Sequence, residues 1–181
     1  MDSDGRATVA LTVTTAGWRA AIDDLEGRCL GIVEATLARA TDEAWVRRGE
    51  VSLLLADDGE IQRLNSRYRQ REKPTNVLSF PSMDLQRGRA LVQEPRGPVM
   101  LGDIAMSFER LSEEAKRDEK PVLDHFAHLL VHGTLHLVGY DHENDEQADL
   151  MEGLEAAVLE GLGMAAPYPV GDGAVPSGVS P

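Results

Sequence analysis

Apolar positions along the chain follow two periods, and the changes between them mark out the elements. Residues 7–14 interleave Ala, Val and Leu with Thr, the period-two pattern of a half-buried strand, and residues 18 to about 40 carry Ala and Leu at helical spacing. A second strand is expected at residues 51–56. It is closed by Asp57-Asp58-Gly59, and these aspartates suit the cap of a helix running to about Tyr68. Lys73-Pro74 breaks that helix, after which residues 77–80 read as a short strand stopped by Pro81.

Residues 83–98 combine mixed charges, little periodicity and a Gly- and Pro-containing end, which predicts a long loop, a kind of segment that often carries function. Residues 99–106 predict a further strand, and Ser107 a cap for a helix through about Asp118. Pro121 suits the first turn of a helix that continues to about Leu137 and is stopped by Gly139. A last helix is expected from about Asn144 to Leu162. Residues 164–181, rich in Pro, Gly and Ser, predict a disordered tail. The pattern implies an α+β fold: a single domain over residues 1–163, with one mixed β-sheet packed with helices and a histidine-bearing helix followed by a glycine turn.

Length and composition agree with one domain, since 181 residues with 42% hydrophobic content can build one sizeable core. The N-terminal acids and the Thr-interleaved strand that follows do not resemble a secretory signal. No run approaches the roughly 18 consecutive apolar residues of a membrane span. The single cysteine, Cys29, leaves no internal disulfide to form. The expected location is cytoplasmic, with no membrane partner. A net charge of -13 at first opposes a nucleic-acid partner, because phosphate is normally met by Lys and Arg. Between residues 61 and 98, however, eight bases (Arg63, Arg67, Arg69, Arg71, Lys73, Arg87, Arg89, Arg96) face three acids, a local +5 that leaves -18 on the rest. Such an island can focus an anionic substrate, although a solvated arginine helix and loop has the same composition.

All five histidines fall between His125 and His142, and His125, His128, His132 and His136 recur every three or four residues on one helix face. The other positions from Val122 to Val138 are apolar or small apart from Asp124 and Thr134, so the helix is expected to be buried with its histidines toward a cleft. Residues four apart stand about 6 Å apart along the axis, close enough for two imidazoles to share a metal, whereas residues eight apart are separated by roughly 12 Å. A straight helix therefore supplies two ligands. Gly139 can turn the chain back so that His142 joins His132 and His136, giving three nitrogen ligands and an open fourth position, the arrangement of a catalytic zinc. His125 and His128 are expected in the core or in hydrogen bonds that support the site.

Zinc proteases of the H-E-x-x-H type carry a general base directly after the first histidine, a place taken here by Gly133. That lowers the rank of peptide hydrolysis. The run H-G-T-L-H-L-V-G-Y-D-H, residues 132–142, resembles the signature of the YbeY family at every fixed position. Two further blocks support the resemblance: NSRYRQREKPTNVLSFP, residues 65–81, and Leu101-Gly102-Asp103-Ile104. Together the resemblance spans roughly residues 50–163.

The resemblance implies a single-strand-specific endoribonuclease with one Zn2+ per chain. It would act in ribosomal RNA maturation, particularly at the 3′ end of 16S RNA, and in ribosome quality control. Its partners would be single-stranded RNA, ribosomal RNA and the small ribosomal subunit with its proteins. It maps the zinc ligands onto His132, His136 and His142 and the functional arginine onto Arg69. In that role Arg69 would hold the scissile phosphate as a two-pronged donor beside the metal. Asp141 adjoins the last ligand and is read either as orienting a histidine or tuning the bound water, or as an exposed turn aspartate, while Tyr140 reads as packing. Two alternatives stay open: a ribosome-assembly factor with a mainly structural metal, and a generic zinc hydrolase of peptides or small esters.

Overall fold

The computed structural model describes residues 5–68, 76–165 and 167. The chain opens with β1 (Thr8–Val13) and continues through three helices, α1 (Gly17–Ala21), α2 (Leu25–Ala40) and α3 (Ala44–Arg47). The single helix expected from residue 18 is thus divided. Ile22 is extended and Asp24 takes a left-handed φ of 50°, which redirects the chain after Trp18 has been placed in the core. Trp18 is fully buried, and its indole N–H donates to the Ala56 carbonyl at 3.1 Å, so the short α1 is held by tertiary contacts rather than by its own length.

β2 (Glu50–Ala56) leads into α4 (Asp58–Tyr68), and the Asp57 carboxylate accepts from the Glu60 amide at 2.9 Å as the expected cap. β3 (Val77–Pro81) follows. The long loop expected over residues 83–98 instead contains a small antiparallel hairpin, β4 (Leu85–Gln86) and β5 (Arg89–Ala90), turned through Arg87 and Gly88, both at positive φ. β6 (Met100–Ser107) then runs into α5 (Phe108–Arg117), where the Ser107 hydroxyl accepts from the Arg110 amide at 3.2 Å. α6 (Val122–Leu137) and α7 (Asp145–Gly161) complete the order, and the Asn144 side chain caps α7. The predicted tail, residues 164–181, lies outside the described residues except for Met164, Ala165 and Pro167.

The main sheet is mixed, as expected for this α+β fold. Its order is β1-β2-β6-β3, with β1, β2 and β6 parallel and β3 antiparallel at the edge beside β6. Register assigns the two faces. Val51, Leu53 and Leu55 align with Gly102, Ile104 and Met106, and these with Pro81, Ser79 and Val77, to form the inner face, over which α2 and α6 pack. Leu78, Ala105 and Leu54 point the other way, where Ile61 and Leu64 of α4 meet them. Gly102, at φ 148°, is where strand and helix close in: a Cβ there would collide with the Phe80 carbonyl oxygen and crowd Leu137 at 2.7 Å. That contact seats the C-terminal half of α6 on the β3–β6 end of the sheet.

Candidate metal centre

The α6 helix is anchored by its apolar positions. Phe126, Leu130, Val131, Leu135 and Leu137 are fully buried, which leaves the histidine stripe as its polar side. At its end Gly139 adopts φ +93°, and the Tyr140 amide reaches back to the Leu135 carbonyl at 3.0 Å, closing the helix in a left-handed turn. The turn is clamped on two sides. The amides of Arg87 and Gly88 in the hairpin donate to the Gly139 and Val138 carbonyls at 3.2 and 2.8 Å, and the Tyr140 hydroxyl donates to the Ala40 carbonyl of α2 at 2.8 Å. Tyr140 is therefore a packing and anchoring residue, and the Thr41 hydroxyl fixes the hairpin in turn by donating to the Gly88 carbonyl at 2.6 Å.

This clamp returns His142 beside the helix. The rings of His132 and His136 lie 4.6 Å apart between centroids, with His142 at 5.6 and 5.2 Å from them. One nitrogen from each of the three falls within 4.8 Å of the others, and the Nε2 atoms of His132 and His136 are 3.1 Å apart. Tetrahedral zinc with nitrogen bonds of about 2.0–2.1 Å would place its ligand nitrogens about 3.3 Å from one another, so small adjustments suffice for the trio to hold an ion. The donor chemistry fits as well. A carbonyl only accepts, so His136 Nδ1 donates to the Tyr140 carbonyl at 2.9 Å and its Nε2 presents a lone pair to the centre. Burial, reinforced by the neighbouring His132 and His142, pushes the His136 pKa down to about 4, which keeps it in the neutral, ligating form.

The three rings line a cleft of about 610 Å³ whose walls include Asn76, Ser79 and Pro81 and whose rim carries Asp141 and Glu143. Asp141 does not reach an imidazole: its carboxylate accepts from the His142 backbone amide at 2.8 Å and so orders the turn. Gly133 faces Ser79 and Ile104, and a Cβ there would stand 3.2 Å from both, so this position presses on the sheet. A cavity of similar size, about 630 Å³, lies over the outer sheet face, and Asp103 is the one titratable group among the described residues that line it. Among the described residues it holds no metal-ligating cluster.

Two carboxylates stand behind the histidine stripe. His125 Nε2 lies 3.1 Å from Glu114, which also accepts from Asn76. His128 and His132 converge on Glu155, at 2.9 and 2.6 Å. His125 and His128 thus make supporting hydrogen bonds. Glu155 escaped the sequence reading, although a signal exists: it is an acid, 1% exposed, within the buried α7 stripe of Met151, Val158 and Leu159. Arg69 lies outside the described residues, as do Arg71 and Lys73. The described bases of the 61–98 island divide between α4, with Arg63 and Arg67 exposed, and the hairpin segment, where Arg87 stands 3.6 Å from Glu146 of α7.

The model of the YbeY family, described as Endoribonuclease YbeY, matches residues 20–163. A relative from Paramagnetospirillum magneticum, named Endoribonuclease YbeY, is 42% identical over 162 residues, covering 88% of this chain and 94% of its own. A relative of the same name from Bradyrhizobium diazoefficiens is 47% identical over 134 residues, covering 74% and 71%. A third, from Ruegeria pomeroyi, is 50% identical over 125 residues, covering 66% and 76%.

Proposed function

This chain belongs to the YbeY endoribonuclease family, and on that premise we propose that it is a zinc-dependent, single-strand-specific endoribonuclease. It matures ribosomal RNA at the 16S 3′ end and serves ribosome quality control, in contact with the small ribosomal subunit in the cytoplasm. Its catalytic domain comprises residues 1–163, and residues 164–181 are a tail outside it.

The reading rests on one observation, the convergence of three imidazole nitrogens within 4.8 Å in an open cleft. Three neutral nitrogen donors with room for a further ligand suit zinc in a catalytic setting. When bound, zinc would supply concentrated positive charge that either activates a water near neutral pH or polarises a phosphate oxygen. The rest is the chain's own work. His132, His136 and His142 hold the ion, and the hydrogen bond from His136 to the Tyr140 carbonyl fixes that ring. Arg69 offers a planar fork to the phosphoryl oxygens, which gather negative charge as the bond breaks. Asp141 and Glu143 at the rim repel a polyanion, so docking depends on cations: the metal, Arg69, and backbone contacts from Arg63, Arg67, Arg71 and Lys73. Gly133 supports a phosphodiesterase over a protease, because it supplies no general base where a zinc protease needs one.

The test is cleavage of single-stranded ribosomal RNA fragments by metal-quantified protein at fixed salt. Wild type should cleave. His136→Ala should lose both zinc and activity, whereas Arg69→Ala should keep zinc and lose activity, with Arg69→Lys restoring only part of it. Equal cleavage by all four proteins would mark the activity as a contaminant's.

A further inference from the structure

The 3.1 Å separation of His132 Nε2 and His136 Nε2 permits two states. With a lone pair on each nitrogen, the pair attracts a cation. With a proton on His132 Nε2, the same distance is an ordinary N–H···N hydrogen bond, and the centre closes on itself. His136 cannot supply that proton, since its own N–H is committed to the Tyr140 carbonyl. The choice falls to His132.

His132 Nδ1 lies 2.6 Å from Glu155 Oε1, and Glu155 Oε2 lies 2.9 Å from His128 Nε2. Glu155 is 1% exposed and sits on α7, apart from the helix and turn that carry the histidine trio. An ionised carboxylate accepts only, so each imidazole facing it must donate. We infer that Glu155 is the positioning residue of the metal centre: it draws the His132 proton to Nδ1, which keeps Nε2 bare and prevents the His132–His136 pair from closing as a hydrogen bond. His128 is the second donor that holds the carboxylate in place. This rests on the reading of the histidine trio as a metal site, and it extends that site to α7.

Glu155→Gln has nearly the same shape but the wrong polarity. A carboxamide has one accepting and one donating end, so it cannot accept from both His128 and His132. With its NH2 toward His132, it forces the proton onto Nε2, where it blocks the metal. Full-length chain, labelled at histidine nitrogens, reports the tautomer by NMR in the metal-free state, and competition with a chelator reports zinc affinity. Wild type should carry the His132 proton on Nδ1. Glu155→Gln should weaken zinc binding by about 10- to 100-fold, the usual effect of removing such a partner, while its circular dichroism stays that of wild type and part or all of the His132 population moves to the Nε2–H form. His128→Phe should retain the Nδ1–H form and lose less affinity.

A wild-type His132 protonated on Nε2 would overturn the inference whether or not any variant folds. So would a folded Glu155→Gln with wild-type zinc affinity. Failure of the wild-type chain to bind zinc at all would instead count against the metal-site reading, which separates the two.

Discussion

Replacing Gly139 with alanine tests the geometry that brings His142 back to the helix. Gly139 has φ +93°, where a non-glycine residue costs about 1–2 kcal/mol. A Cβ there would also collide with the Leu85 carbonyl oxygen and stand 2.8 Å from the Gln86 Cα, both backbone atoms of the hairpin. The hairpin would have to withdraw, losing the hydrogen bonds from Arg87 and Gly88 to the turn, each worth about 1 kcal/mol. The total is about 3–4 kcal/mol. For a chain of this size that corresponds to a fall in Tm of roughly 6–16 °C. Gly97→Ala is the control, because Gly97 has φ +86° with none of the described residues within 4 Å of the added carbon and should show only the conformational part. Urea denaturation of both variants, with zinc content measured beforehand, reads the difference. If Gly139→Ala is no less stable than Gly97→Ala and holds zinc equally well, the hairpin does not clamp the turn.

Three further outcomes are expected. Cys29 is fully buried, and burial pushes its thiol up to about 12, so a thiol reagent at neutral pH should label it only as fast as the chain unfolds; prompt labelling in the native state would contradict this. Tyr140→Phe removes the donor to the Ala40 carbonyl and should cost about 1–3 kcal/mol in denaturant melts, while cleavage per bound zinc stays at the wild-type rate. Burial raises the Glu114 carboxyl, but hydrogen bonds from His125 and Asn76 outweigh it and hold the group below its ordinary 4.5. Its pairing therefore stabilises the fold above about pH 4.5, and that stability is lost as pH falls through the depressed value. Glu114→Gln should flatten the acid limb of a stability–pH curve, and an unchanged limb would remove Glu114 from the account.

Features encoded by neighbouring residues were legible before the structure. The histidines at spacings of three and four, Gly139 after the last turn, and the caps at Asp57 and Ser107 each act within a few residues, so periodicity and cap chemistry suffice. Features that depend on distant parts were not. The break at Asp24 follows from seating Trp18 against β2, and the hairpin within residues 83–98 is pinned by Thr41, Val138 and Gly139, far away in sequence. Glu155 reaches His132 across 23 residues and two helices, and helical periodicity offers no hint of that pairing. An acid in an apolar stripe signals only that some partner must exist.

Whether the chain is a zinc-dependent ribonuclease is decided by a zinc titration of chelator-stripped full-length protein, reading bound metal and cleavage of single-stranded ribosomal RNA in the same samples. Cleavage should be absent without metal, rise linearly up to one zinc per chain, and level off thereafter. Cleavage by the stripped protein, or one tightly bound zinc per chain with no cleavage, would contradict that expectation, and the second result would favour a metal-stabilised assembly factor.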